Sequence, residues 1–340
     1  MINTVYRLVA PRRFEIAFED INLFGENAIV RPTYLSICNA DMRYYLEEYL
    51  GVPQGVYYLG TRDAKVLAEK LPMALIHEGV GEVFLDPTGT FKTGDKVVMV
   101  PNAPVEKDEF IAENYLRSSK FCGSSMDGFL QEFVEISPKR LVKLPDDIDM
   151  TVAAFTEIVS VSVHAISRFD KIAHARRNTI SVWGDGNLGY ITSLFLKYHF
   201  PKSKIVVFGT SSDKLADFTF ADETHLVNEV PDGFTTDHAF ECVGGNGSPI
   251  AIEQIIGLIK PEGTISILGV SEYPVPINTR MILEKGLRVF GSSRSGVKDF
   301  AKTVDMYKKH PEIIDYLGNL INSVNVVSYI LNIFNSLNSY

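Results

Sequence analysis

An apolar strand runs into three glycines in the stretch TISVWGDGNLG, residues 179–189, which has the spacing G-x-G-x-x-G. In a dinucleotide-binding fold the first glycine permits a tight turn, the second lets the backbone approach a pyrophosphate, and the third lets helix and strand pack closely. The N-terminus of the following helix then faces the negative charge. The residues predicted to contact a dinucleotide here are Gly184, Gly186, Asn187, Leu188 and Gly189.

Short apolar segments alternate with helical segments on the C-terminal side of this glycine loop. Such alternation predicts parallel strands that are joined by crossover helices and buried on both faces. The predicted strands are 179–183, 204–208, 224–227, 237–242, 264–268 and 287–290. We therefore expect an α/β chain with a doubly wound, six-stranded parallel Rossmann domain over residues 151–291.

The N-terminal part of the chain has a different pattern, because its strand-like runs are irregularly spaced and broken by Gly and Pro. This pattern predicts a mostly antiparallel β domain with long loops over residues 1–150. The predicted strands are 28–35, 79–85, 96–101 and 129–136, and a helix is predicted over 151–168. Residues 292–340 are predicted to be helical, with an apolar tail at 326–334.

Composition limits the classes of partner. The net charge of −9 and the pI near 5.4 disfavour nucleic acid and an anionic membrane surface as main partners, since both require a basic face. No apolar run approaches the roughly 18 to 20 residues that span a bilayer, and residues 1–13 lack the pattern of a secretory signal. The three cysteines lie too far apart in sequence for a disulfide framework. We therefore expect a cytoplasmic protein.

The end of the second predicted strand bears on the choice of cofactor. An NAD enzyme would place an Asp or Glu about 20 residues beyond the glycine loop, on the ribose hydroxyls, and no acid stands there before Asp213. Hydroxyl and backbone donors can accept a 2′-phosphate, which an acid would repel. The pattern favours NADPH over NADH, although the two serines could equally cap the next helix. The predicted contacts are Gly209, Thr210, Ser211, Ser212 and Lys214.

Three side chains distant in sequence form a candidate metal site. Cys38 follows a predicted strand, His77 precedes another, and Glu157 lies in the predicted helix that leads into the Rossmann domain. A thiolate, an imidazole and a carboxylate suit tetrahedral zinc, which in catalytic sites keeps one position open for water or substrate. Taken singly, a lone Cys is more often a core residue and a buried Glu more often has a salt-bridge partner.

On these motifs the chain resembles the zinc-containing medium-chain dehydrogenases, the superfamily of alcohol and sorbitol dehydrogenases. The resemblance implies a GroES-like catalytic domain, then the nucleotide domain, then a return of residues 292–340 to the catalytic domain. It implies one zinc per chain at Cys38, His77, Glu78 and Glu157, with Asp41 orienting a ligand. The chain departs from the family in lacking the four-cysteine lobe between 101 and 121 and in carrying Ile76 where a Gly usually stands. The motifs that carry the resemblance are Cys38 with Asp41, His77-Glu78 with Gly81, the runs 94–97 and 127–129, Thr156-Glu157 and the glycine loop.

More narrowly, the runs 76–83, 183–192, 239–245 and 291–296 resemble those of the bacterial ribulose-5-phosphate reductases. That resemblance implies reduction of D-ribulose 5-phosphate to D-ribitol 5-phosphate by NADPH, with zinc polarising the C2 carbonyl. The product would supply CDP-ribitol for teichoic acid or capsule, in functional coupling to a ribitol-5-phosphate cytidylyltransferase. Relatives are dimers or tetramers, so a homo-oligomer is expected.

A sugar-phosphate substrate requires cationic donors, and Arg43, Arg294 and Lys298 are the candidates. Each of them could equally be a solvated surface residue. Two other functions remain open at this point. One is an NAD(P)-dependent dehydrogenase of another polyol or polyol phosphate, and the other is a non-catalytic NADP-binding scaffold or sensor.

Overall fold

This computed structural model describes residues 1–45, 70–271 and 274–326. The chain divides into two compact units: residues 1–160 with 295–340, and residues 161–294. The strands are β1 Ile2–Ala10, β2 Arg13–Asp20, β3 Ala28–Ser36, β4 Met73–Ala74, β5 Glu78–Leu85, β6 Lys96–Met99, β7 Asn102–Ala103, β8 Lys120–Phe121, β9 Val134–Ile136, β10 Leu141–Lys143, β11 Thr179–Trp183, β12 Lys204–Gly209, β13 Glu223–Leu226, β14 Thr236–Glu241, β15 Ile259–Ile267 and β16 Arg288–Gly291. The α-helices are α1 Asn39–Tyr45, α2 Met150–Ala153, α3 Thr156–Ile172, α4 Asn187–His199, α5 Ser212–Ala216, α6 Ser248–Leu258, α7 Thr279–Lys285, α8 Val297–Lys309 and α9 Glu312–Gly318.

The second unit contains a parallel sheet of six strands in the order β13-β12-β11-β14-β15-β16, which confirms the predicted Rossmann fold. Its strands are nearly continuous apolar runs because both faces are covered. Trp183 and Phe208 stack with their ring centroids 4.5 Å apart in one core cluster of this sheet. The strand order reverses between β11 and β14, and ligands of such sheets bind outside the carboxyl ends of the strands at that point. The glycine loop follows β11 directly and is therefore placed where a dinucleotide binds.

The first unit is built on antiparallel strands, as predicted. Five of them form a sheet in the order β10-β6-β5-β3-β9, and β2, β1 and β4 form a second sheet. Val30, Val97, Met99 and Phe129 belong to one buried core cluster of this unit. The central pair β3 and β5 places the ends of both strands side by side, which positions the candidate metal ligands.

Two sequence-based boundaries differ from the structure. The run predicted as a strand over 129–136 is a strand only at Val134–Ile136. The amides of residues 128–130 donate hydrogen bonds to the carbonyls of residues 74–76, so this segment does not join the five-stranded sheet. The helix predicted over 151–168 is two helices, α2 and α3. Of the predicted apolar tail, only Val326 is described, and it is exposed. Residues 46–60, where the family resemblance leads us to expect an insertion, lie outside the described residues.

No helix in the described parts of the chain combines the length and the apolarity that crossing a membrane requires.

Candidate metal and cofactor sites

Three potential metal ligands converge where β3 ends and β5 begins. Antiparallel pairing sets Ser36 opposite Glu78, so the chain that leaves β3 towards Cys38 passes the chain that enters β5 through His77. One ligand atom each of Cys38, His77 and Glu78 lies within 4.8 Å of the others. A tetrahedral zinc ion with bonds of about 2.0–2.3 Å requires S, N and O ligands about this close. The donor set therefore fits zinc.

Asp41 joins the two segments that carry these ligands. Its side chain is fully buried in α1. Its Oδ2 accepts a hydrogen bond from the Cys38 amide at 3.0 Å, and its Oδ1 accepts one from the Ile76 amide at 2.9 Å. His77 Nδ1 lies 3.8 Å from Asp41 Oδ1. The carboxylate therefore fixes the backbone on both sides of the cluster, and its predicted role of orienting a ligand stays a prediction.

Ile76 holds its backbone in the left-handed region, with φ at +71°. A β-branched residue avoids this region, and glycine adopts it freely. The conformation is held by the hydrogen bond to Asp41 and by a second one from the Phe129 amide to the Ile76 carbonyl at 2.7 Å. The neighbouring chain at Gly128 approaches so closely that a Cβ there would lie 2.2 Å from the Ile76 carbonyl oxygen. The replacement of the usual Gly is thus accommodated by the segments packed around His77.

The cluster concentrates acidic groups in a buried place. Burial raises the pKa of the Cys38 thiol well above its ordinary value, and the charges of Glu78 and Asp41 add to the rise. Burial followed by the charge of Glu157 likewise raises the pKa of Glu78, and burial raises the pKa of Asp41. Groups that repel each other in this way are stabilised in their charged forms by a bound cation. The electrostatics therefore agree with a divalent metal ion at Cys38, His77 and Glu78.

Glu157 lies in the first turn of α3 and is almost fully buried. Its charge acts on both Glu78 and Cys38, so the fold brings it near the cluster. It is not among the three residues whose ligand atoms lie within 4.8 Å of one another. Its predicted role as a ligand stays a prediction.

The glycine loop has the geometry that a dinucleotide requires. Gly184 has φ at +130°, and a Cβ there would lie 2.8 Å from the Cys242 carbonyl oxygen. A Cβ at Gly189 would lie only 1.9 Å from the Gly184 carbonyl oxygen, whereas a Cβ at Gly186 would meet nothing within 4 Å. Gly184 and Gly189 are thus required by the fold itself, and Gly186 borders open space where a pyrophosphate can approach. Asn187 and Leu188 open α4 beside it.

The predicted 2′-phosphate contacts begin at the end of β12. An acidic side chain that was not predicted to be there is hydrogen-bonded to two of these residues. Asp185 Oδ2 accepts hydrogen bonds from the amides of Thr210 and Ser211, at 2.6 and 2.8 Å. Ser211 caps α5, with its side chain accepting from the Lys214 amide at 3.4 Å. Ser212 and Lys214 are exposed in that helix. Asp185 does not follow the second strand in sequence, because it lies inside the glycine loop, 25 residues before Thr210.

The candidates for binding a substrate phosphate differ in burial and backbone conformation. Arg43 is half-buried in α1, Arg294 has a positive φ of +58°, and Lys298 is exposed in the first turn of α8. Their predicted contact with a phosphate stays a prediction.

Comparison with known families assigns both halves of the chain. Residues 25–146 match the alcohol dehydrogenase GroES-like domain, and residues 201–309 match the zinc-binding dehydrogenase domain. The chain is 54% identical over 320 residues to ribulose-5-phosphate reductase 1 of Staphylococcus aureus, with 94% of this chain and 90% of the relative covered. It is 45% identical over 308 residues to ribulose-5-phosphate reductase of Streptococcus pneumoniae, with 90% and 85% covered.

Solved structures agree with this family. The structure of S. aureus TarJ in complex with NADPH superposes with a TM-score of 0.84 at 47% identity and covers 100% of this chain and 96% of that one. Galactitol-1-phosphate dehydrogenase of Escherichia coli superposes with a TM-score of 0.71 at 18% identity, covering 90% of this chain and 89% of that one, and shares the fold.

Proposed function

Because the chain belongs to the zinc-binding medium-chain dehydrogenases, in the group of the bacterial ribulose-5-phosphate reductases, we propose that it reduces D-ribulose 5-phosphate to D-ribitol 5-phosphate with NADPH. The observation that carries the proposal is the convergence of Cys38, His77 and Glu78 within 4.8 Å. A scaffold or sensor without catalysis would not need a thiol, an imidazole and a carboxylate together. The relatives named for this reaction, and the NADPH in the TarJ complex, support the choice of substrate and cofactor.

Cys38, His77 and Glu78 would hold the zinc ion, which when bound supplies Lewis-acid polarisation of the substrate's C2 carbonyl. The chain's own contribution is to keep the ligands in place before substrate arrives. Asp41 does this by holding the amides of Cys38 and Ile76. The ring of His77 packs against Phe121 with centroids 5.2 Å apart, which restricts its rotation. A preorganised site of this kind needs little rearrangement during the reaction.

The Rossmann unit would bind NADPH, which supplies the hydride. Gly184 and Gly189 give the loop its shape, and Gly186 leaves room for the pyrophosphate.

The new hydroxyl group also needs a proton. We propose that a water molecule or the sugar's own hydroxyl chain, linked to the buried Glu157, carries this proton to the substrate oxygen. Binding of the substrate phosphate is assigned to Arg43, Arg294 and Lys298.

A spectrophotometric assay of NADPH oxidation tests the reaction. We expect turnover of ribulose 5-phosphate, a KM for unphosphorylated ribulose that is higher by about tenfold or more, and a preference for NADPH over NADH. A chelator should abolish the rate, and added zinc should restore it. Equal turnover of both sugars would contradict the substrate assignment. A chelator-resistant rate in protein without bound metal would contradict the zinc assignment.

We further propose that the enzyme is a homo-oligomer in the cytoplasm and supplies a ribitol-5-phosphate cytidylyltransferase. The apolar side chains of Ile250 and Leu283 are exposed on the second unit and support self-association. The three free cysteines suit a reducing compartment. Light scattering at assay concentration should give the mass of a dimer or tetramer, and a monomer mass would contradict this part of the proposal.

A further inference from the structure

One carboxylate connects the glycine loop to the turn that follows β12. Asp185 Oδ2 accepts hydrogen bonds from the Thr210 amide at 2.6 Å, the Thr210 hydroxyl at 3.2 Å and the Ser211 amide at 2.8 Å. All three donors lie immediately beyond Gly209, the last residue of β12. A single side chain thus binds together two segments that would both contact a dinucleotide.

The Asp185 carboxylate requires a residue without a side chain at position 209. A Cβ at Gly209 would lie 2.7 Å from Asp185 Cβ and 2.8 Å from Asp185 Oδ2. The φ of Gly209 is not in the left-handed region, so backbone strain does not explain the glycine. The absence of a side chain at Gly209 is what permits Asp185 to reach the amides of Thr210 and Ser211.

These hydrogen bonds change which groups can meet a 2′-phosphate. The two amides and the Thr210 hydroxyl already donate to Asp185, so they are not available to a phosphate at the same time. The Ser211 hydroxyl accepts from the Lys214 amide and keeps its own proton to donate. The donors that remain on this turn include the hydroxyls of Ser211 and Ser212 and the ammonium group of Lys214; the side chains of Ser212 and Lys214 are exposed.

The charge of Asp185 is the main physical objection to phosphate binding nearby. Burial acts to raise the pKa of Asp185, but the hydrogen bonds from Ser211 and Thr210 outweigh it, so the pKa is lowered and the group is ionised. A carboxylate repels a negatively charged phosphate that binds nearby, and the repulsion is stronger where water is partly excluded. Two amide dipoles and a hydroxyl dipole directed at Oδ2 offset part of this repulsion.

We propose that Asp185 is a positioning residue that sets the preference for NADPH over NADH, by holding the turn 209–211 so that Ser211, Ser212 and Lys214 meet the 2′-phosphate. The residues that follow the second strand of a Rossmann fold contact the adenosine ribose, so the turn is correctly placed for this role. The inference rests on the proposed function, because it requires NADPH as the cofactor. Its test uses cofactor binding alone and needs no sugar substrate.

The sequence contains one tryptophan, Trp183, which is buried and directly precedes Gly184. Quenching of its fluorescence can therefore report titrations of the full-length protein with NADPH and NADH, and displacement of NADPH can report binding of adenosine 2′,5′-bisphosphate and ADP. For Asp185→Ala we expect the Kd of NADPH and of adenosine 2′,5′-bisphosphate to rise about tenfold or more. The Kd of NADH and of ADP should change by less than about threefold.

Two further variants separate positioning from charge. Asp185→Asn keeps an oxygen that can accept the amide hydrogen bonds, so its Kd for NADPH should stay within about threefold of the unmodified protein. Gly209→Ala leaves Asp185 in the chain but displaces its carboxylate, so it should reproduce the selective loss seen for Asp185→Ala. Thermal unfolding checks that each variant is folded. If Asp185→Ala does not fold, the Kd values measured for Gly209→Ala test the inference in its place.

Three results would overturn the inference. The first is a Kd for NADPH that is unchanged or lower in Asp185→Ala. The second is an equal loss of affinity for NADPH and for NADH. The third is an Asp185→Asn variant that binds NADPH as weakly as Asp185→Ala does. The first would mean that the carboxylate only repels the phosphate, and the second that it only supports the glycine loop. If the unmodified protein failed to bind NADPH, the proposed function would fall instead, whereas inactivity on ribulose 5-phosphate with normal NADPH binding would leave the inference intact.

Discussion

Replacing Cys38 by serine is expected to remove the metal and to lower the NADPH-dependent rate by about a thousandfold, since Lewis-acid stabilisation is worth several kcal/mol. Serine is similar in size to cysteine, but its neutral hydroxyl is a far poorer zinc ligand than a thiolate. The two other ligands, His77 and Glu78, would remain beside an incomplete site. Elemental analysis of the purified variant and the assay with ribulose 5-phosphate measure the two effects.

The matched control is Cys122→Ser. Cys122 is buried in the first unit, and burial raises the pKa of its thiol to about 12, so it stays a neutral thiol. It is not among the three converging ligands. We expect this variant to keep about one zinc ion per chain and most of the rate. A Cys38→Ser protein with full metal content and full activity would refute the metal site proposed here.

The second large effect is expected at Gly189. A Cβ at this position would lie 1.9 Å from the Gly184 carbonyl oxygen, so Gly189→Ala must push the glycine loop away from α4. Overpacking of this kind costs about 3 kcal/mol of folding free energy. The displaced loop should also raise the Kd of NADPH by roughly a hundredfold, equivalent to about 2.7 kcal/mol. Denaturant unfolding and titration of the Trp183 fluorescence measure the two quantities.

Gly186→Ala serves as the comparison, because a Cβ there would meet nothing within 4 Å. Its stability should match that of the unmodified protein, while the added methyl group stands where the pyrophosphate approaches and raises the Kd of NADPH by about tenfold. The pair therefore distinguishes a glycine required by the fold from one required by the ligand. Normal NADPH binding by both variants would exclude the glycine loop as the cofactor site.

The parts of the molecule that were predictable depend on local patterns. The order of apolar strands and helices after residue 150 predicted the six-stranded parallel sheet, since burial on both faces leaves a strong signal in sequence. The glycine spacing predicted the loop after β11, because the tight turn and the close packing of helix and strand require glycine at fixed positions. The convergence of Cys38 with His77 and Glu78 agrees with the predicted metal site. Residue chemistry indicated Cys38 and His77, whereas Glu78 was added only by family resemblance, because the pairing of β3 with β5 has no local signature.

The features that escaped prediction depend on contacts between distant segments. In the sequence, Asp185 occupies a variable position of the glycine motif. Only the fold shows that its carboxylate accepts hydrogen bonds from the amides of Thr210 and Ser211. The apolar run after Gly128 reads as a strand, yet its first amides bond to carbonyls of residues 74–76 instead of extending β9. Periodicity cannot distinguish these cases, because it describes burial and not the partner of each backbone group.

The left-handed backbone at Ile76 restricts how this position can change over evolution. Glycine would relieve roughly 1–2 kcal/mol of conformational strain, but removing a side chain that is 1% exposed in the core would leave a void that costs about 2–5 kcal/mol. Any residue of intermediate size keeps the strain of the left-handed backbone and fills less of the core than isoleucine does. Each single substitution therefore lowers stability, and a lineage that acquired isoleucine here is expected to retain it until the surrounding core has been refilled by other changes.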